Sequence, residues 1–95
     1  MIDQEKFYDV EIAPELRRMA DRCSEHGMSF VAAVQFANES IGSTVKLSEA
    51  AHPCLRMTAY AARSNGNADT LIWALQKDGR DHGHNSVCLQ MLEKK

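Results

Sequence analysis

Hydrophobic and polar positions change period several times along this chain, and each change marks a predicted element. Residues 6–12 read Lys-Phe-Tyr-Asp-Val-Glu-Ile, with Tyr8, Val10 and Ile12 alternating against Asp9 and Glu11. Period two predicts a short strand with one wet face. Pro14 then opens a helix, because its fixed φ suits a first turn. Leu16, Met19, Ala20 and Cys23 fall at i, i+3, i+4 and i+7, with Arg17, Arg18, Asp21 and Arg22 opposite. Gly27 closes that helix. Met28, Phe30, Ala32, Val34 and Phe36 share one face at period two and predict a strand over 28–36. Asn38-Glu39-Ser40 reads as a loop. Ser43 to Leu47 reads as the returning strand of a hairpin, with Val45 and Leu47 inward and Thr44 and Lys46 outward.

Pro53 opens a further helix, whose stripe is Leu55, Thr58, Ala59 and Ala62. Ser64-Asn65-Gly66-Asn67 interrupts the chain. Asn67 suits an N-cap and Asp69 complements the dipole of the helix that follows. Leu71, Ile72 and Leu75 give this helix its apolar face, with Trp73 on the flank. Gly79 weakens its last turns and Gly83 ends it. Residues 85–92 alternate again, with Val87, Leu89 and Met91 on one face, and read as a last strand. Glu25-His26-Gly27 and Asp81-His82-Gly83 are matching acid-His-Gly helix endings, each leading into a predicted strand.

The resulting order is β-α-β-β-α-α-β, an α+β fold. It predicts a small antiparallel or mixed sheet of three or four strands with two or three helices on one face, in a ferredoxin-like arrangement. Such a fold hosts many unrelated functions and licenses none of them.

Composition narrows the class. With 95 residues the chain is expected to form one domain, and 44% hydrophobic residues are enough for a packed one. The formal net charge is -2, and the only adjacent basic pairs are Arg17-Arg18 and Lys94-Lys95. Without a concentrated positive field, nucleic acid is not the expected partner. Three cysteines, an odd count, argue against a disulfide framework. No apolar signal core opens the chain, and no apolar run approaches the ~20 residues of a membrane span. A reducing cytoplasm is the expected compartment.

Candidate chemistry is sparse. Cys23-x-x-His26, His52-Pro53-Cys54 and His82-x-His84-x-x-x-Cys88 bring together residue types that hold zinc, although none of these spacings is a standard finger. The candidate metal set is His26, His82, His84 and Cys88. Against it, His26 and His82 fall in last helical turns, where a donor to free carbonyls is favoured, and Cys23 and Cys88 read as core. Cys54 near His52 at a helix start is the one local nucleophile candidate, but no third orienting group accompanies it, and no enzyme is expected. Gly66 and Asn67, at the start of a helix, are the candidate anion-binding residues. Trp73 and Arg80, with the sheet edges, are the candidate contact surface. The expected function is therefore that of a small accessory or interaction protein, acting by protein binding or self-association. The alternatives are a metal-binding protein and a binder of a nucleotide or other small anion.

The run from Leu16 to Phe36 resembles small uncharacterised proteins of prophages and tailed phages. So does the run from Asn65-Gly66-Asn67-Ala68-Asp69-Thr70-Leu71-Ile72 to His84-Asn85-Ser86-Val87-Cys88-Leu89, so that the resemblance covers most of the chain. The resemblance implies a cytoplasmic accessory protein of phage or host origin. It implies no activity and no functional residues.

Overall fold

The computed structural model describes residues 1–93. Its first departure from expectation is at residues 6–12, which are helical. The chain enters α1 (Glu5–Phe7), passes through a π-helical stretch (Tyr8–Ile12) and continues as α2 (Ala13–Glu25). Pro14 supplies the physical reason for the widened stretch. It has no N–H, and its ring would meet the carbonyl four residues back in a regular α-helix. Just before it, the Ala13 N–H reaches five residues back to the Tyr8 carbonyl, which loosens the turn at that point. Tyr8 and Ile12 lie four apart, so the residues that suggested alternation also share a helical face. Val10, the third member of the alternation, is exposed.

The hairpin is present. β1 (Phe30–Ala37) pairs antiparallel with β2 (Ser40–Lys46), and Asn38 and Glu39 make the turn. The register slips at Phe36, where a bulge twists β1 and the Phe36 carbonyl accepts from the Gln4 N–H at 2.8 Å. Phe30↔Lys46, Ala32↔Thr44 and Val34↔Gly42 are cross-strand partners and share one face. That face lies under the N-terminal helices. Tyr8 stacks on Phe36 with centroids 5.1 Å apart, its ring lies against Gly42, and Lys46 reaches Asp21 at 3.1 Å. The sides predicted for β2 hold in part: Val45 and Leu47 are half-buried and Lys46 is exposed, but Thr44 is half-buried too. Thr44 and Lys46 are on the covered face, whereas Val45 pairs with Val31 on the other. On that other face Ala33, Gln35, Ile41 and Ser43 are exposed.

Past the hairpin the chain is helical. α3 (Pro53–Ser64) is capped by His52, whose Nδ1 accepts from the Cys54 N–H at 3.0 Å. Asn65 leaves it in the left-handed region at φ 50°. α4 (Ala68–His82) is capped as expected by Asn67, whose Oδ1 accepts from the Thr70 N–H at 2.9 Å. Gly83, at φ 79°, ends α4, and the predicted last strand is instead α5 (Val87–Glu93). Ser86 starts it, with Oγ accepting from the Leu89 N–H at 3.2 Å. Leu89 and Leu92, three apart, are its half-buried side, while Val87 and Met91 stay exposed. Both outer strands of the expected order are therefore helices. The three- or four-stranded ferredoxin-like sheet is replaced by a single two-stranded antiparallel sheet with helices around it.

The whole is thin. Its principal extents are 47 × 34 × 13 Å and its radius of gyration is 15.6 Å. A compact chain of this length has a radius of about 12 Å. The accessible surface is 7018 Å² for a mass of 10.6 kDa, against about 5,500 Å² for a compact monomer of that mass. The buried apolar residues are Tyr8, Ala20, Ala51 and Ala59, and among the described residues no large side chain is fully buried. Among those residues, no helix is long and apolar enough to cross a membrane.

Candidate functional site

Three helices with little to bury between them leave a cleft. Its apolar wall comes from Met57 on α3, Ile72 and Leu75 on α4, and Leu89 and Leu92 on α5. The enclosed space is about 540 Å³, within the range of sites that bind small ligands or receive a partner's side chains. Its polar lining comes from Arg56, Asp78, His84, Asn85 and Ser86.

Arg56 and Asp78 satisfy each other. Arg56 Nε donates to Asp78 Oδ1 at 2.8 Å and its Nη2 to Oδ2 at 3.4 Å, while Nη1 donates to the Ala51 carbonyl at 2.7 Å. Tyr60 Oη donates to the same Asp78 Oδ1 at 2.5 Å, and His82 Nε2 stands 3.8 Å from it. The side chains of Arg56 and Asp78 are only 17% and 13% exposed. Burial pushes the Asp78 carboxyl upward, but the hydrogen bonds from Arg56 and Tyr60 and the Arg56 charge outweigh it, leaving it below the ordinary carboxylate range. Tyr60 is raised, first by burial and then by its bond to Asp78. The ion pair is a strut between α3 and α4, and its charges are spent inside the protein.

A second polar cluster holds α5. The His84 ring lies against Gly79, where a β-carbon would come within 2.6 Å of Cδ2. Its Nδ1 accepts from the Ser86 N–H at 3.0 Å, which leaves Nε2 to carry the proton and donate to Glu93 Oε1 at 2.8 Å. This one imidazole thus joins the end of α4, the connecting loop and the last turn of α5.

The residues singled out by sequence are dispersed. His84 and Cys88 both line the cleft. His82 faces Asp78, and His26 lies in a separate depression with Met19, Arg22, Cys23 and Met28. Among the described residues no three His, Cys, Asp or Glu side chains gather as a metal ion requires. The candidate zinc ligands therefore do not form a set here. His52 is committed to the Cys54 backbone as a helix cap. Gly66 takes a positive φ in the turn, and Asn67 spends its carbonyl oxygen on the α4 cap. Trp73 is 65% exposed, on a different side of α4 from Leu75 and Asp78, and Arg80 is exposed in a depression between α4 and α5 with Gln76, Leu92 and Glu93.

Sequence reasoning missed Arg56, Tyr60 and Asp78. A signal was present: Leu71, Leu75 and Asp78 fall at i, i+4 and i+7, so an acid occupies the apolar stripe of α4 and needs a partner. Arg56 and Tyr60, one turn apart on α3, supply it.

Comparison with protein-family models, with curated proteins and with solved structures finds no match.

Proposed function

We propose that this chain is a small cytoplasmic interaction module, of phage or prophage origin, that binds a protein surface through the α3–α4–α5 cleft or the exposed Trp73 of α4. The observation that carries this reading is the 7018 Å² of exposed surface on a 10.6 kDa chain that fully buries no large side chain among its described residues. Exposed apolar side chains on α3, α4 and α5, Met57, Ile72, Val87 and Met91, are of the kind that contact sites carry. The cleft offers no free charge to a substrate, because Arg56 and Asp78 neutralise one another. Its apolar wall, and separately the exposed indole of Trp73, are features that interface centres carry. The three free cysteines suit a reducing compartment.

Oxidative footprinting tests the reading. Trp73 and Met57, both exposed in the isolated chain, are expected to be protected in an extract of the producing cells and reactive in the dilute purified protein. Met19, on α2 and also exposed, serves as the internal standard and is expected to react equally in both settings. Equal reactivity of all three residues in both settings would contradict it.

A further inference from the structure

We propose that α5 is a hinged cover, latched by His84, that opens as a unit and uncovers the apolar groove between α3 and α4. The inference concerns the same cleft as the interaction reading and adds the step that regulates access to it.

Weak anchorage is the first argument. α5 has seven residues and buries none of them. A helix that short does not hold itself together in water, so its order comes from the surface it lies on. Leu89 and Leu92 are half-buried in the cleft wall, whereas Val87, Cys88, Gln90, Met91 and Glu93 are exposed. The helix runs along α4 and hardly meets α3.

A hinge and a latch are the second. Gly83 ends α4 at φ 79° and ψ 161°, a backbone conformation that glycine alone adopts with ease, so the chain turns at one residue. Beyond it, the His84 Nε2 bond to Glu93 Oε1 at 2.8 Å ties the last turn of α5 back to the hinge. The Ser86 bonds, to the Leu89 N–H and the Gln90 N–H, stay within the first turn. Glu93 is 39% exposed, so water competes for the latch and its net strength is modest.

The groove itself does not need the cover. Arg56 and Tyr60 of α3 hold Asp78 of α4 without any group of α5. When α5 swings away, α3 and α4 therefore stay together and present Met57, Ile72 and Leu75 along an open groove.

Hydrogen exchange on the full chain, in water and in urea below the unfolding transition, tests the cover. The amides of residues 90–93 are expected to exchange together, faster than those of α3 and α4, with little dependence on urea, because the opening exposes little surface. Glu93→Ala removes the latch at an exposed position. It is expected to speed exchange of residues 90–92 about two- to fivefold, the scale of a partly exposed ion pair, and to leave α3 and α4 unchanged. The same variant is expected to brighten the emission of anilinonaphthalene sulfonate, a probe of apolar surface. Exchange of α5 in step with α4 and with the same urea dependence would overturn the hinge, since the three helices would open as one body. Rates graded towards residue 93 would overturn the unit, since the end would merely fray. Unchanged probe emission with faster exchange would overturn the uncovering of the groove. Each of these failures leaves the interaction reading to the footprint at Trp73 and Met57.

Discussion

A β-carbon at Gly79 would lie 2.6 Å from the His84 ring, and that ring is held at both nitrogens. Gly79→Ala should favour α4 by up to ~1 kcal/mol of helix propensity. It is nevertheless expected to release α5, because the ring must leave its bonds to Ser86 and Glu93. Hydrogen exchange over residues 87–93 reads this directly. Adding His84→Ala to Gly79→Ala should remove the conflict, with a coupling of roughly 1–3 kcal/mol between the two sites. Additive effects would place the ring elsewhere. Asp78 makes a second residue-scale prediction. Asp78→Asn weakens the bonds from Arg56 and Tyr60 and should cost about 1.5–3 kcal/mol, the usual scale for hydrogen bonds to charged groups. The folded carboxyl lies below its ordinary 3.8, so its contribution is complete above that value and is lost as pH falls through the lower folded one. Urea melts across the acid range should show stability falling with pH in the wild type and a shallower fall in Asp78→Asn. Parallel curves would mean that the strut carries no net electrostatic stabilisation.

At the scale of elements, the contact between the π-helical stretch and the hairpin is the joint that seats the N-terminal half. A β-carbon at Gly42 would come within 2.5 Å of the Tyr8 ring, so Gly42→Ala should displace the ring from Phe36 and cost roughly 1–3 kcal/mol as overpacking. Faster proteolysis within residues 1–12 would register the loosened joint, and an unchanged cleavage rate would refute it. The punctuation of the chain was legible in its sequence: Pro53 opens a helix, Asn67 caps the next and Gly83 ends it. The face of β1 carrying Phe30, Ala32 and Val34 was legible too, because a strand of eight residues displays its period clearly. The two outer segments were not. In Tyr8–Ile12 and Val87–Leu92 a few apolar residues fit period two and helical spacing alike, and local capping decides between them. At the C-terminal segment Ser86 caps the helix. At the N-terminal one the Pro14 constraint distorts the helix without stopping it. The cleft was legible only in part. Of its lining, His84 and Cys88 were noticed as members of a candidate metal set, but the pairing of Arg56 with Asp78 depends on how α3 and α4 pack, which no single helix encodes.

For the whole molecule, a layer 13 Å thin leaves room for only a small core. Residues enough for a packed domain are present, yet Met57, Ile72, Trp73, Val87 and Met91 of the three C-terminal helices remain exposed. The proposed interaction reading unites the residue and element scales: self-association would cover apolar surface that a single chain leaves exposed. Folding and association are then linked by mass action, because the partner binds the folded state alone. The most direct measurement is the thermal midpoint followed by circular dichroism at protein concentrations a hundredfold apart. The account predicts a midpoint that rises with concentration. A midpoint independent of concentration, with a radius of gyration in solution near the 15.6 Å of the single chain, would contradict it.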